Sequence, residues 1–264
     1  TTAQRLAATG SSTDTFTVIA TNGVNAATKT VTVAVDAGTP VAGAATPGSP
    51  DGTTGRVTGT TSFTDPAGRT LSYSTPAIST GGGTVSVNSA TGAFTYTPTT
   101  AQLLAATGSS TDTFTITATN GVNAATKTVT VAVHPLAPVA GAATAGSPDG
   151  TTGRVTGTTS FTDPAGRTLS YSTPAPTMVV RGDVWLGTST IVWGTSTGGG
   201  IFSVNATTGA FTYTPTTAQR QAATGSTTDT VTITASNGVT SAAKTITVAV
   251  QPGTPDTSLM PGIV

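Results

Sequence analysis

The decapeptide Thr-Asp-Pro-Ala-Gly-Arg-Thr-Leu-Ser-Tyr begins at Thr64 and again at Thr162, an offset of 98 residues. Ala-Gln at Ala3 recurs at Ala101 with the same offset, whereas Phe94 and Phe211 stand 117 apart, so the later copy carries a net insertion of 19 residues. A period of this length restricts the chain to an array of like modules. The copies align as 1–36, the closing third of a repeat; 41–134, a complete repeat; and 139–250, a complete repeat with an insertion at 176–197. Residues 251–264 form a tail. The connectors 36–40 and 134–138 are short and end in proline, which favours a semi-extended path between modules.

Within one copy the side chains alternate. In Thr128-Val129-Thr130-Val131-Ala132-Val133 every second residue is a valine, which gives a pleated strand one apolar face and one hydroxyl face. Thr supplies about a quarter of the residues and there is no glutamate, so helix is disfavoured almost throughout. Alternation and punctuation predict strands at 41–46, 56–64, 71–75, 83–87, 93–97, 111–119 and 124–133, with one helical turn at 99–106. Asp65-Pro66-Ala67-Gly68 reads as a turn, and Asn120-Gly121 as a tight hairpin turn. Seven short strands in one repeat imply an all-β, immunoglobulin-like β-sandwich built of two sheets. Leu71, Tyr73, Phe94, Tyr96 and Phe114 are the expected core, and the threonine faces are expected to meet water.

The run from Gly83 to Gly121 contains Gly-Thr-Val-Ser-Val-Asn, Gly-Ala-Phe-Thr-Tyr-Thr-Pro and Thr-Asp-Thr-Phe-Thr-Ile-Thr-Ala-Thr-Asn-Gly. It resembles the VCBS-type, cadherin-like repeats of large bacterial surface adhesins. The resemblance implies extracellular spacer modules that carry binding domains located elsewhere. It also implies a calcium-holding Asp-x-Asp-Gly-Asp turn between modules. Here that turn reads Asp65-Pro66-Ala67-Gly68-Arg69 and Asp163-Pro164-Ala165-Gly166-Arg167, so one carboxylate is replaced by alanine and another by arginine. Calcium wants six to eight oxygen ligands, several of them anionic. Asp65 and Asp163 remain as weak metal candidates, and no cofactor is expected.

Composition excludes several partners. The chain has no net charge and only three lysines, which offers no basic stripe to a phosphate backbone, so nucleic acid is not an expected partner. No apolar run approaches ~18 residues, so no membrane span is expected. Thr1 opens no signal peptide and Val264 closes no recognisable anchor, so the chain is expected to be a piece of something longer. The absence of cysteine rules out disulfides without fixing the compartment.

Catalysis is not expected. The lone His134 lies in a connector, and no paired carboxylates or nucleophile–base set can be assembled from the sequence. Lys29, Lys127 and Lys244 follow the Asn-Gly turn. An autocatalytic cross-link would need a buried carboxylate beside them, for which Asp112 and Asp229 are the candidates; strand-edge lysines that discourage edge pairing explain the same residues.

The insertion carries both tryptophans, Trp185 and Trp193, and its apolar runs Met178-Val179-Val180 and Val184-Trp185-Leu186 bracket Arg181-Gly182-Asp183. A projecting hairpin with Arg181, Gly182 and Asp183 near its tip is the expectation, with the two tryptophans as a contact surface or packed on their own sandwich. The leading function is a non-catalytic structural or adhesive segment, a stalk, filament or adhesin spacer, at the bacterial cell surface. Its expected partners are other copies of itself or neighbouring repeats. The alternative is a ligand-recognition module using residues 176–197 for a glycan or host receptor, with integrin binding through Arg181-Gly182-Asp183 as a variant. The first 36 residues hold only the closing hairpin of a repeat, so Phe16, Val18, Val31 and Val33 are expected to need a cover from outside that repeat.

Overall fold

The computed structural model describes residues 1–174, 178–180 and 190–253. The chain divides into two compact units, Thr1–His134 and Pro135–Val264.

The first unit opens with the short helix α1 (Thr2–Ala7) and the hairpin β1 (Thr13–Thr21) and β2 (Ala26–Ala34). A complete repeat follows, made of β3 (Val41–Pro47), β4 (Val57–Thr64), β5 (Ser72–Ser74), β6 (Thr84–Val87), β7 (Ala93–Thr97), α2 (Thr100–Ala105), β8 (Thr111–Thr119) and β9 (Ala124–Ala132). One sheet has the order β3-β4-β7-β6 and the other β5-β8-β9, all pairs being antiparallel.

Alternation sets the core. Along β8 the inward positions are Asp112, Phe114, Ile116 and Ala118, all buried, while the threonines between them lie nearer the surface. Phe114 stacks parallel to Tyr96 at 6.2 Å and meets Phe94 edge-on at 5.3 Å, which joins the two sheets. Burying each such side chain contributes roughly 1.5–3 kcal/mol. Gly59 in β4 must be glycine, because a Cβ there would lie 2.4 Å from the Phe94 ring and 2.6 Å from the Thr46 carbonyl oxygen.

Two expectations change. Leu71 and Tyr73, beside and on the edge strand β5, are half-buried rather than core, although Tyr73 meets Phe63 edge-on at 5.9 Å. The Asn120-Gly121 turn is a four-residue loop. The Asn120 backbone N–H donates to the Asn123 carbonyl (3.1 Å), and the Asn120 Oδ1 accepts from the N–H groups of Val122 (3.0 Å) and Asn123 (2.8 Å).

The second unit repeats the plan with β10 (Val139–Ala145), β11 (Val155–Thr162), β12 (Ser170–Ser172), β13 (Met178–Val180), β14 (Ile191–Thr195), β15 (Ile201–Asn205), β16 (Ala210–Thr214), α3 (Thr217–Ala222), β17 (Thr228–Ser236) and β18 (Ser241–Ala249). Its sheets are β10-β11-β16-β15-β14-β13 and β12-β17-β18. Phe202, Val204, Phe211 and Tyr213 from the first face Val231, Ile233 and Val248 from the second in one core. Both full repeats are thus all-β, immunoglobulin-like sandwiches.

The expected tip of the hairpin, Arg181 to Asp183, lies outside the described residues, and its base is seen. β13 and β14 do pair with each other, but β14 also pairs with β15 from Ile191↔Asn205 to Thr195↔Ile201, so the pair widens the sheet. A sheet edge offers a ready ladder of N–H and C=O groups, and joining it satisfies more backbone than standing clear in water. Ser196 belongs to the repeat proper, occupying the place that Ser79 takes in the first unit.

Candidate functional site

Two arrangements of polar groups recur, one inside each sandwich and one where a connector meets it. The first centres on Asp112. Its carboxylate accepts five hydrogen bonds: from the Ser79 hydroxyl (2.5 Å), the Gly81 N–H (2.8 Å), the Tyr96 hydroxyl (2.9 Å), the Gln102 side-chain amide (2.7 Å) and the Thr113 N–H (2.7 Å). Gly81 is needed here because a Cβ would lie 2.9 Å from the carboxylate and 2.6 Å from the Gln102 nitrogen. Gln102 is held in place by a capping box, its Oε1 accepting from the Thr99 N–H (2.9 Å) while the Thr99 Oγ1 accepts from the Gln102 N–H (3.2 Å).

Burial pushes the Asp112 carboxyl up, but its bonds from Ser79, Gln102, Gly81 and Thr113 outweigh this and hold it below the ordinary carboxylate range. Burial, reinforced by the bond to Asp112, pushes the Tyr96 hydroxyl well above its usual value. Asp229 repeats the arrangement with Ser196, Gly198, Tyr213, Gln219 and Thr230. Each carboxylate therefore ties together both sheets and the helical turn.

Lysine takes no part in these arrangements. Lys127 pairs with Ile116 four residues along the strand from Asp112, and the Lys244 ammonium donates to the Gly141 carbonyl (2.5 Å). The cross-link geometry considered from sequence is therefore absent at Asp112 and Asp229.

The second arrangement lies in the first unit at the connector. The Gly38 carbonyl accepts from the side-chain amides of Asn120 (3.0 Å) and Asn123 (2.9 Å), and Asn120 donates also to Asp65 Oδ2 (2.6 Å). The other Asp65 oxygen accepts from the N–H groups of Ala67 (2.9 Å) and Arg69 (3.0 Å). Burial pushes the Asp65 carboxyl up, and the Asn120 amide, those two N–H groups and the Arg69 charge together hold it below its ordinary value.

With its backbone fixed in this way, Arg69 sends its guanidinium back to α1. Nη2 donates to the Arg5 carbonyl (2.7 Å) and to the Ala8 carbonyl. Arg5 lies in the last turn of α1 and Ala8 is its C-cap, an end where the macrodipole favours a cation. Ala8 and Ala37 are buried at the same place. In the second unit the Leu136 carbonyl accepts from Asn237 (2.9 Å) and Thr240 (2.9 Å), and Asn237 donates to Asp163 (2.6 Å), whose other oxygen accepts from the N–H groups of Ala165 and Arg167 (both 3.0 Å).

This donor set does not fit calcium. Asp65 and Asp163 are the carboxylates available at the turn, and both oxygens of each already accept hydrogen bonds. In the first unit the nearby cation is a guanidinium. Among the described residues no three histidine, cysteine, aspartate or glutamate side chains gather into a metal-holding group.

Of the contact residues expected in the insertion, Trp185, Arg181, Gly182 and Asp183 lie outside the described residues. Trp193 sits in β14, half-buried and paired with Ser203 and Met178, and its neighbour Val192 enters the core. The Trp193 indole nitrogen is buried and finds no acceptor among the described residues. The lone His134 is exposed at the end of the first unit.

No family model and no curated protein sequence matches this chain. Solved structures similar to it include the extracellular cadherin domains 1–5 of protocadherin gamma B2 (15% identity, TM-score 0.27, covering 92% of this chain and 46% of that one). Drosophila N-cadherin EC1-4 is also similar (13%, 0.27, 90% and 58%), as is the endo-fucoidan hydrolase MfFcnA4 of glycoside hydrolase family 107 (16%, 0.30, 92% and 34%). The chain spans between about a third and three fifths of the length of these structures.

Proposed function

We propose that this chain is a non-catalytic structural segment of an extracellular array at a bacterial cell surface, with modules at 1–36, 41–134 and 139–250 acting as spacers for binding domains. The observation that carries this reading is the Arg69 clasp. A protein cation on the carbonyls of Arg5 and Ala8, with Asn120 and Asn123 on the connector carbonyl of Gly38, fixes one module's end to the next. Arginine suits this position because its guanidinium is always charged and donates in a fixed fork. Such a spacer is expected to melt at the same temperature with calcium or with a chelator. A rise of more than about 10 °C on adding calcium, several times what ~1 kcal/mol gives a domain of this size, would reject the reading. Arg69→Ala is expected to speed amide exchange in α1 and β1–β2 while leaving β8 unchanged.

A second reading rests on the insertion, which the first full repeat lacks. It would make residues 176–197 a recognition surface, with Trp185, Trp193 and Arg181-Gly182-Asp183 contacting a glycan or host receptor. The half-buried Trp193, whose indole N–H has no acceptor among the described residues, favours it. Deleting 175–193, which restores the shorter connection of the first repeat, separates the two readings: a spacer keeps its assembly, and a recognition module loses binding in a glycan or receptor array.

A further inference from the structure

Ser79 and Gln102 meet at one oxygen. The Ser79 hydroxyl donates to Asp112 Oδ2 (2.5 Å), and the Gln102 amide nitrogen donates to the same Oδ2 (2.7 Å). Ser79 and Asp112 are both buried. No side chain stands at Gly81, where a Cβ would crowd the Gln102 nitrogen and the carboxylate together. At the other end of the amide, Gln102 Oε1 accepts from the Thr99 N–H (2.9 Å) and from the Thr99 hydroxyl (3.2 Å). The second unit assembles the same parts. Ser196 and Gln219 meet at Asp229 Oδ2 (2.5 and 2.7 Å), and Gln219 Oε1 accepts from the Thr216 N–H (2.8 Å) and hydroxyl (3.2 Å). Each set is a hydroxyl nucleophile on a carboxylate base, beside an acyl carbon whose oxygen is already held by two donors.

We propose that Ser79 and Gln102, and likewise Ser196 and Gln219, join in an intramolecular ester that the chain forms on itself with release of ammonia. The Ser79 proton passes to Asp112 as Oγ bonds to Gln102 Cδ. The charge that develops on Oε1 is met by the two Thr99 donors. The Cδ–Nε2 bond then breaks, Asp112 returns the proton to the nitrogen, and ammonia leaves. Asp112 ends as it began, and no other reactant is consumed. Holding the groups together in a buried site replaces the encounter that an uncatalysed reaction would need. Tyr96 reaches the same Oδ2 at 2.9 Å, but a phenol ester reopens readily, whereas the ester of an aliphatic hydroxyl shielded from water lasts. The bond closes β6 and β7 in a covalent ring from the loop ahead of β6 to α2, and β15 and β16 in its counterpart. It needs no lysine and no Arg69 clasp, so it can fail while the spacer reading stands.

The test is the intact mass of the full chain after prolonged incubation, followed by chymotryptic mapping. The mass is expected to fall below that of the sequence by two ammonia molecules, one for each full repeat. Cleavage after Phe94 and Tyr96 separates Ser79 from Gln102 unless a bond joins them, and Phe202, Phe211 and Tyr213 do the same for Ser196 and Gln219. Joined peptides that mild alkali parts are expected in both repeats. Ser79→Ala should lose the first link and keep the second, and Ser79→Thr, which retains the hydroxyl, should restore it. A full-length mass equal to that of the sequence would overturn the proposal. So would a first link that survives Ser79→Ala, or ammonia lost within a single peptide at Asn22-Gly23, Asn120-Gly121 or Asn237-Gly238, the mark of a succinimide.

Discussion

Residues 13–35 and 111–133 differ at two positions, Val18 for Ile116 and Ile19 for Thr117, and both fold into nine-residue antiparallel hairpins of identical register. One hairpin is exposed along nearly its whole length and the other has a buried face. Local sequence therefore determines the strand, the loop and the register, and burial is conferred by the facing sheet. In the full repeat that sheet supplies Val57, Phe94 and Tyr96 against the apolar face, and the donors that satisfy Asp112 at its end. A buried carboxylate is tolerated there because every oxygen is bonded, whereas the same residue at Asp14 stays at the surface.

The most disruptive way to probe this contrast is to remove the carboxylate. Asp112→Ala leaves Ser79, Gly81, Tyr96 and Gln102 with donors pointing at an empty site, and is expected to cost about 3–5 kcal/mol, as for a buried hydrogen-bonded charge whose partners lose it. Asp14→Ala is expected to cost under ~0.5 kcal/mol, as for an ordinary surface change. Phe114→Ala should cost about 3–4 kcal/mol through the cavity it opens between Phe94 and Tyr96. Phe16→Ala should again cost under ~0.5 kcal/mol. Hydrogen-exchange free energies of the β8 and β1 amides report all four, and equal costs in the two hairpins would break the comparison.

Much of this architecture is legible in the sequence, because period-two alternation and turn residues act locally. The strands at 93–97 and 111–119 fall where alternation puts them, and Phe94, Tyr96 and Phe114 are buried as their parity requires. Asp112 shares the parity of Phe114, which is the signal that it points inward; its partners Ser79 and Tyr96, 33 and 16 residues away, need the fold to be seen. Arg69 was legible as the loss of an acidic ligand. Its acceptors at Arg5 and Ala8, 64 and 61 residues earlier, appear only once α1 is placed beside the turn. The apolar runs of the insertion fit either a free hairpin or an edge addition, so the pairing of β14 with β15 becomes visible only once the neighbouring strand is placed.

A smaller effect follows from acidity. The Asp112 and Asp229 carboxyls are held below the ordinary value of 3.8, so each contributes stability that is fully present above that value. It is lost as pH falls through the lowered folded value, because the unfolded chain binds the proton first. Urea midpoints of the full repeats are accordingly expected to be flat from pH 7 to about pH 5 and to fall below about pH 4. In Asp112→Asn the first repeat should start from a lower midpoint and lose less of it on acidification. A midpoint that rises as the pH is lowered would mean that the carboxylates are held neutral.

The smallest effect is the most direct test of where burial comes from. Changing Val18 to Ile and Ile19 to Thr makes residues 13–35 identical to residues 111–133. Val18 shares the inward parity of Phe16, and the longer isoleucine adds apolar area to a face that has no facing sheet. Ile19 lies on the outward face at the place of Thr117, and nothing in the structure explains the apolar residue there. Because β-propensities of isoleucine, valine and threonine differ by a few tenths of a kcal/mol in such settings, the double change should alter the exchange of β1 by less than about threefold. Phe16 should stay as accessible as before, judged by oxidative footprinting against Phe114 in the same molecule. If the two substitutions alone made Phe16 as protected as Phe114, burial would be encoded within the hairpin rather than conferred by a facing sheet.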